Sequence, residues 1–387
     1  MDRSIRAVIS GACSQRVAQA LPSCLGAIVL SSALFCGALS APAAARRTSA
    51  HGYLAKRSSA VAIPRRVLAL YYPWYGAPAF GGKWIHQDGV DVTAKSIASH
   101  THYPLSGPYD SIDPAVIERH LRQARAAGID TLVCSWWGRN DRTDLGILRL
   151  LKLAPKYSMT VCVFWEPSQS ALTPQNARAD LKYILQAFTK QPAYLRHSGK
   201  PVLFLYSQTS RSLMPNQWAG ILKEASGGNR PGILAITDNE NPADSAVWDG
   251  SYSLWPITQM GGLSPAQSAQ ILHQSFQTQI PGKKAFNHLT VETITPGYDD
   301  RKYNARTENG PGTLVDRLNG QRYRSLWEQA LKDAPDWILI NSFNQWHNGT
   351  EIEPSKEMGN RYLQLTGVYT RRFKAAASVP ITHPLRP

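Results

Sequence analysis

Cysteine and long apolar runs are both scarce in this 387-residue chain, and each shortage excludes something. Five cysteines occur, and Cys13, Cys24 and Cys36 fall within the first 45 residues. Only Cys134 and Cys162 remain, each inside an apolar run, so no zinc-ligand spacing exists. The expectation is two buried thiols; one disulfide between them is the alternative in an oxidising compartment. After residue 45 no stretch approaches the roughly 20 apolar residues that a membrane span needs. Phosphate-binding glycine loops of the G-x-G-x-x-G or Walker type are missing, and no metal or cofactor is expected. No Lys/Arg cluster with interleaved aromatics stands out, which argues against nucleic acid.

What is present at the start is a leader pattern. Arg3, Arg6 and Arg16 form a positive n-region, "CLGAIVLSSALFCGAL" (24–39) an apolar h-region, and "SAPAAA" (40–45) the small residues of a cleavage site after Ala43 or Ala45. An uncleaved membrane anchor is the alternative. The chain is therefore read as secreted or periplasmic, with residues 1–45 a signal peptide. Residues 46–66 read as an Arg/Ser/Ala-rich linker, and 374–387 as a tail. Losing the leader removes three Arg and one Asp, so the formal charge of +15 falls to +13. That excess favours anionic surroundings, such as an acidic polysaccharide or an envelope surface. The other reading is a solvated basic exterior without a specific partner.

From Val67 a regular beat sets in. The strand candidates are "VLALYYPWY" (67–75), "DTLVCSWWG" (130–138), "MTVCVFWEP" (159–167), "KPVLFLYS" (200–207), "GILAITDN" (232–239), "GSYSLWP" (250–256), "KAFNHLTVETITP" (284–296) and "DWILINSFNQW" (336–346). Amphipathic stretches lie between them, with starts marked by Asp113-Pro114, Thr173-Pro174 and Ser264-Pro265: a capping side chain followed by proline at the first helical position. Gly128 is a helix stop. Only "NPADSAVW" between the fifth and sixth strands is too short for a full helix. Eight strand–helix units predict one (β/α)8 (TIM) barrel over residues 67–373, an α/β fold, with an open doubly wound sheet as the alternative. A monomer is expected.

In such a barrel, chemistry gathers at the strand C-termini. Those ends carry Tyr72, Trp74 and Tyr75; Trp136 and Trp137; Glu166; Tyr206; Asp238 and Glu240; Trp255; Tyr298, Asp299 and Asp300; and Asn344, Gln345, Trp346, His347 and Asn348. Aromatic faces with polar edges suit sugar rings, which have apolar C–H patches bordered by hydroxyls. The pattern predicts a carbohydrate cleft. Glu166, closing the apolar run "VCVFW", needs partners or a function. The insertion 76–113 reads as a substrate-shaping loop.

The motifs "YYPWYG" (71–76), "KWIH" (83–86, with His86), "GPYDS" (107–111), "SWWG" (135–138), "EP" (166–167), "KPVLFLY" (200–206), "TPGYDD" (295–300) and "SFNQWHNGTEIEPS" (342–355) together resemble glycoside hydrolase family 99, the endo-α-mannosidase and endomannanase group. The resemblance implies a (β/α)8 barrel that cleaves α-mannosidic linkages internally, with retention and without metal. It also implies two catalytic glutamates in an Asn-Glu-Trp-His-Glu-Gly-Thr motif, one deprotonating the sugar 2-hydroxyl and one protonating the leaving oxygen. Here those positions are Gln345 and Asn348, and an amide at neutral pH moves no proton. Three readings stand. Relocated carboxylates carry the catalysis, with Glu166, Asp299, Glu351 and Glu353 as candidates. The chain is a sugar-binding pseudoenzyme. Or the scaffold serves a transferase or lyase. In each, Tyr72, Trp74, His86, Trp136, Trp137, Tyr206, Trp255, Tyr298, Asn344, Trp346 and His347 are expected to line an oligosaccharide or polysaccharide site.

Overall fold

The computed structural model describes residues 63–167, 172–228, 232–238, 246–254 and 256–376; the leader, most of the linker and the end of the tail lie outside them. Eight parallel strands form the centre: β1 Arg66–Tyr71, β2 Thr131–Trp136, β3 Thr160–Trp165, β4 Lys200–Leu205, β5 Leu234–Thr237, β6 Gly250–Ser251, β7 Leu289–Ile294 and β8 Trp337–Ile340. They pair in the order β3-β2-β1-β8-β7-β6-β5-β4, and β3 pairs with β4 to close the ring. The expected (β/α)8 barrel is what the chain forms.

Around the strands lie α1 Pro114–Ala126, α2 Arg142–Leu153, α3 Pro174–Ala187, α4 Pro215–Ala225, α5 Pro265–Gln277, α6 Gln321–Asp333 and α7 Arg361–Ala375. The anticipated caps are in place. Asp113, Thr173 and Ser264 each accept a hydrogen bond from a backbone N–H of the first turn, and proline follows each. Gly128 takes φ +77° just after α1, packed against Thr370, where a Cβ would collide. No helix between β5 and β6 occurs among the described residues.

The strands are shorter than the apolar runs. "KAFNHLTVETITP" begins in a helix, Ile280–Phe286, which Asn287 ends in the left-handed conformation at φ +58°, so pairing starts only at Leu289. Such a capped turn overrides the β-propensity of the run.

Register fixes which side chains enter the barrel, because neighbours across a parallel ladder share a face and successive residues alternate. Leu68 pairs with Thr131, Val133 with Cys162, Phe164 with Phe204, Phe204 with Ile236, Ile236 with Gly250, and Leu289 with Gly250. Extending that parity by one step past each strand sends Tyr72, Ser135, Glu166, Tyr206, Asp238 and Tyr252 inward. Tyr71, Trp136, Trp165 and Glu292 point outward, toward the helices. The same parity places Cys134 and Cys162 on opposite faces of adjacent strands, and both are free and buried thiols. No disulfide joins them.

Candidate active site at the strand C-termini

The inward parity set meets at the barrel mouth. Tyr72, which is buried, lies in the electrostatic reach of Glu166, Tyr206 and Tyr298, and Tyr252 in that of Asp238, Tyr206, Tyr72 and Glu166. Burial holds the phenols of Tyr72, Tyr206 and Tyr252 well protonated, so they act as hydrogen-bonding groups and not as bases.

Glu166 is the centre of this group. Its N–H donates to the Trp136 carbonyl, which fixes the chain just past β3, and Ser135 Oγ donates to Oε2 at 2.9 Å. Burial raises its pKa to about 7, while the Ser135 hydrogen bond and the nearby Trp137 indole N–H pull it back. A carboxyl poised there can both release and accept a proton at neutral pH.

One wall is aromatic. Trp74 contacts the Tyr72 ring at 4.6 Å and Trp137 at 5.0 Å, and stacks on His86 at 5.2 Å and His347 at 6.0 Å. His347 stacks on Tyr303 at 4.3 Å, and its Nε2 lies 2.9 Å from the His86 carbonyl. Burial lowers His86 and His100 to about 4 and takes His347 well below its ordinary value, so these rings stay neutral. The insertion supplies His86 and His100, which pack against Trp74 and His347.

Gln345 is nearly buried: its N–H donates to Ser342 Oγ at 2.8 Å, and Oε1 accepts from His347 N at 3.3 Å. Its amide nitrogen has no hydrogen-bond partner among the described residues. Asn348 is half-buried, and its carbonyl accepts the Asp299 N–H at 2.7 Å. Gly349 at φ +55° lets the Asp299 backbone approach to 3.0 Å from where a Cβ would stand. This contact joins the β7 and β8 loops, so Asp299, Gln345 and Asn348 share one side of the mouth.

Several expected site residues do other work. Trp136 is fully buried on the helix side, donating its indole N–H to Asp144 Oδ1 at 2.9 Å and stacking on Tyr183. Its parity, not its position at a strand end, decides this, and it is no sugar platform. Trp346 is equally buried, its indole N–H shared between Tyr109 Oη and Glu353 Oε2, both at 3.2 Å. Asn344 ties β8 to β1: Oδ1 accepts from Tyr72 N at 2.8 Å, and Nδ2 donates to the Tyr72 carbonyl at 3.1 Å and to Tyr109 Oη at 3.2 Å. Trp255 and Glu240 lie outside the described residues.

The alternative carboxylates are engaged. Asp299 receives Arg301 Nε at 2.8 Å and Nη2 at 2.9 Å; burial alone would raise its pKa, but the guanidinium outweighs it and the net shift is down. Glu351 is buried against His102 at 2.7 Å and Arg317 at 2.6 Å; burial again opposes, but the Arg317 charge and the His102 contact outweigh it and the net shift is down. Glu353 is buried between His120 at 2.9 Å and Tyr109 Oη at 2.8 Å. Asp238, which the strand-end pattern named, lies at the mouth, and Ser135 and Tyr252 belong there although that pattern alone did not select them. Counting alternation from the register would have found them.

This architecture, a carboxyl ringed by phenols and indoles at the C-terminal mouth of a (β/α)8 barrel, is that of a glycoside hydrolase. The pattern of "Glycosyl hydrolase family 99" matches residues 62–367, and the chain belongs to that family. The chain is 29% identical over 353 residues to a glycoprotein endo-alpha-1,2-mannosidase of Mus musculus, covering 79% of this chain and 74% of that protein. It is 30% identical over 331 residues to a glycoprotein endo-alpha-1,2-mannosidase-like protein of Danio rerio, covering 76% and 72%. A solved GH99 endo-alpha-mannosidase from Bacteroides thetaiotaomicron superimposes with a TM-score of 0.66 at 28% identity, covering 80% of this chain and 97% of that one.

Proposed function

We propose that the chain is an exported glycoside hydrolase acting on mannoside-like oligosaccharides or polysaccharides, with Glu166 carrying the proton transfers. The observation that supports this reading best is the state of the carboxylates. Asp299, Glu351 and Glu353 are held in ion pairs or buried hydrogen bonds, whereas Glu166 faces the mouth with a pKa near 7. The mannoside substrate rests on the relatives named above, and export on the leader pattern.

In this mechanism the glycan lies along the Trp74–Trp137 wall, its hydroxyls met by Tyr72, Tyr206 and the amides of Gln345 and Asn348. Protonated Glu166 gives its proton to the glycosidic oxygen as the C1–O bond breaks. Water then adds to C1, and its surplus proton returns to the Glu166 carboxylate, restoring the acid. The amides at 345 and 348 orient the 2-hydroxyl and leaving group and take no proton.

A second reading, a sugar binder without turnover, is favoured by one observation: both positions that the resemblance marks as catalytic carry amides. Incubating the full-length protein with a panel of α-mannosides and mannans, with product analysis and binding measured on the same ligands, separates the two. Released mannosides support the hydrolase; binding without product supports the binder.

A further inference from the structure

We propose that the face of the barrel opposite the cleft is a docking surface for an anionic membrane, its lysines and arginines meeting lipid phosphates while the cleft points away. Helices run antiparallel to the strands they follow, so their C-terminal turns and the connections after them gather around the strand N-termini. Exposed there are Arg125 and Lys152, ending α1 and α2, Lys190 after α3, Lys284 before β7, Lys332 ending α6, and Arg371 near the end of α7. None of these six has an ion-pair partner among the described residues. The acids of this end are engaged instead: Asp336 with Lys283 at 2.6 Å, Asp130 with Lys374 at 2.6 Å, and Glu328 with Arg372 at 2.5 Å.

Helix dipoles favour a cation in a last turn, and that alone accounts for Arg125, Lys152 and Lys332. It leaves unexplained Lys190 and Lys200, the latter at the foot of β4, because these follow the helix instead of ending it; Arg196 between them bonds the Thr189 and Gly199 carbonyls. Two further features select a membrane over a soluble polyanion. Phe286 stands 53% exposed beside Lys284, stacked on His288 at 5.3 Å, an apolar ring flanked by cations as at a membrane interface. The chain also enters the fold on this face, at the foot of β1. The segment leading in, residues 46–66, has six Lys or Arg and no acid.

The test is co-sedimentation of the full-length protein with phosphatidylcholine vesicles, with or without phosphatidylglycerol. Wild type should bind the phosphatidylglycerol vesicles preferentially, and binding should fall as sodium chloride is raised. The variant Lys190→Glu/Lys200→Glu/Lys284→Glu should bind them at least ~10-fold more weakly, whereas Lys83→Glu/Lys356→Glu on the cleft side should bind as wild type does. Phe286→Ser should weaken binding without changing its salt dependence, a readout that survives if the triple variant melts early. Equal binding to both vesicle types, salt-insensitive binding, or full binding by the triple variant would overturn the proposal. So would capture by dextran sulfate with no vesicle binding, which assigns the face to an acidic polymer.

Discussion

Ser135 Oγ donates to Glu166 Oε2 at 2.9 Å, across the adjacent ends of β2 and β3. The bond strengthens the ionised form, and so counters the burial that raises the Glu166 pKa to about 7. Ser135→Ala removes it. The pH–rate profile of hydrolysis should then keep its shape while its alkaline limb moves upward, since the acid stays protonated to higher pH. A limb that stays put would show that Ser135 does not tune the acid.

Asn344 makes two hydrogen bonds to Tyr72 that hold β8 to β1 beneath the mouth, and a third to Tyr109 of the insertion. Asn344→Ala leaves the Tyr72 N–H and C=O buried without those partners, which should cost about 2–4 kcal/mol of stability. Urea denaturation measures this directly. A loss of sugar binding at unchanged stability would instead return Asn344 to the cleft.

Glu292 faces outward from β7 into the helix layer, with both oxygens unpartnered in hydrogen-bond geometry and Asp333 beside it. Burial, then the Asp333 charge, raises its pKa well above the ordinary value of 4.5. A raised folded-state pKa contributes stability that is complete below the unfolded value and is lost as pH climbs toward the folded one. Glu292→Gln removes that titration at constant volume. The variant should therefore gain melting temperature over wild type at about pH 8 and little at about pH 5, read by thermal unfolding. A constant difference across that range would contradict the assignment.

The barrel was legible because its signals are local: eight β-rich runs, and caps such as Asp113 and Ser264 that need only their own first turns. The site was legible as a zone, and less so residue by residue. In "CSWWG" the residue that reaches the mouth is Ser135, and its neighbour Trp136 turns away, which only alternation counted from the register distinguishes. Trp346 and Asn344 looked equally suited to sugar, yet the insertion 76–113 brings Tyr109 against both and closes them off. That contact spans more than 230 positions of sequence, beyond the reach of any local pattern. The pairing of Asp299 with Arg301 is the opposite case: two residues apart, it could have been anticipated.

Gln345→Glu and Asn348→Glu restore the carboxylates that the family resemblance implies. Gln345 Oε1 already accepts from His347 N, so a carboxylate fits that bond, and half-buried Asn348 has room for one methylene. The double variant should gain α-mannoside hydrolysis beyond wild type, and each single variant little, because both proton transfers are needed. Added negative charge should also move the Glu166-dependent limb of the profile upward. No gain and no shift would show that these two positions have left the reactive centre.

The most direct test of the account is Glu166→Gln, assayed for turnover and for binding on the same mannoside. The amide keeps the volume and the Ser135 contact but transfers no proton. The account predicts that kcat falls by at least ~10² while the dissociation constant stays within about tenfold. Unchanged turnover in Glu166→Gln would contradict it and return the chemistry to another residue of the mouth.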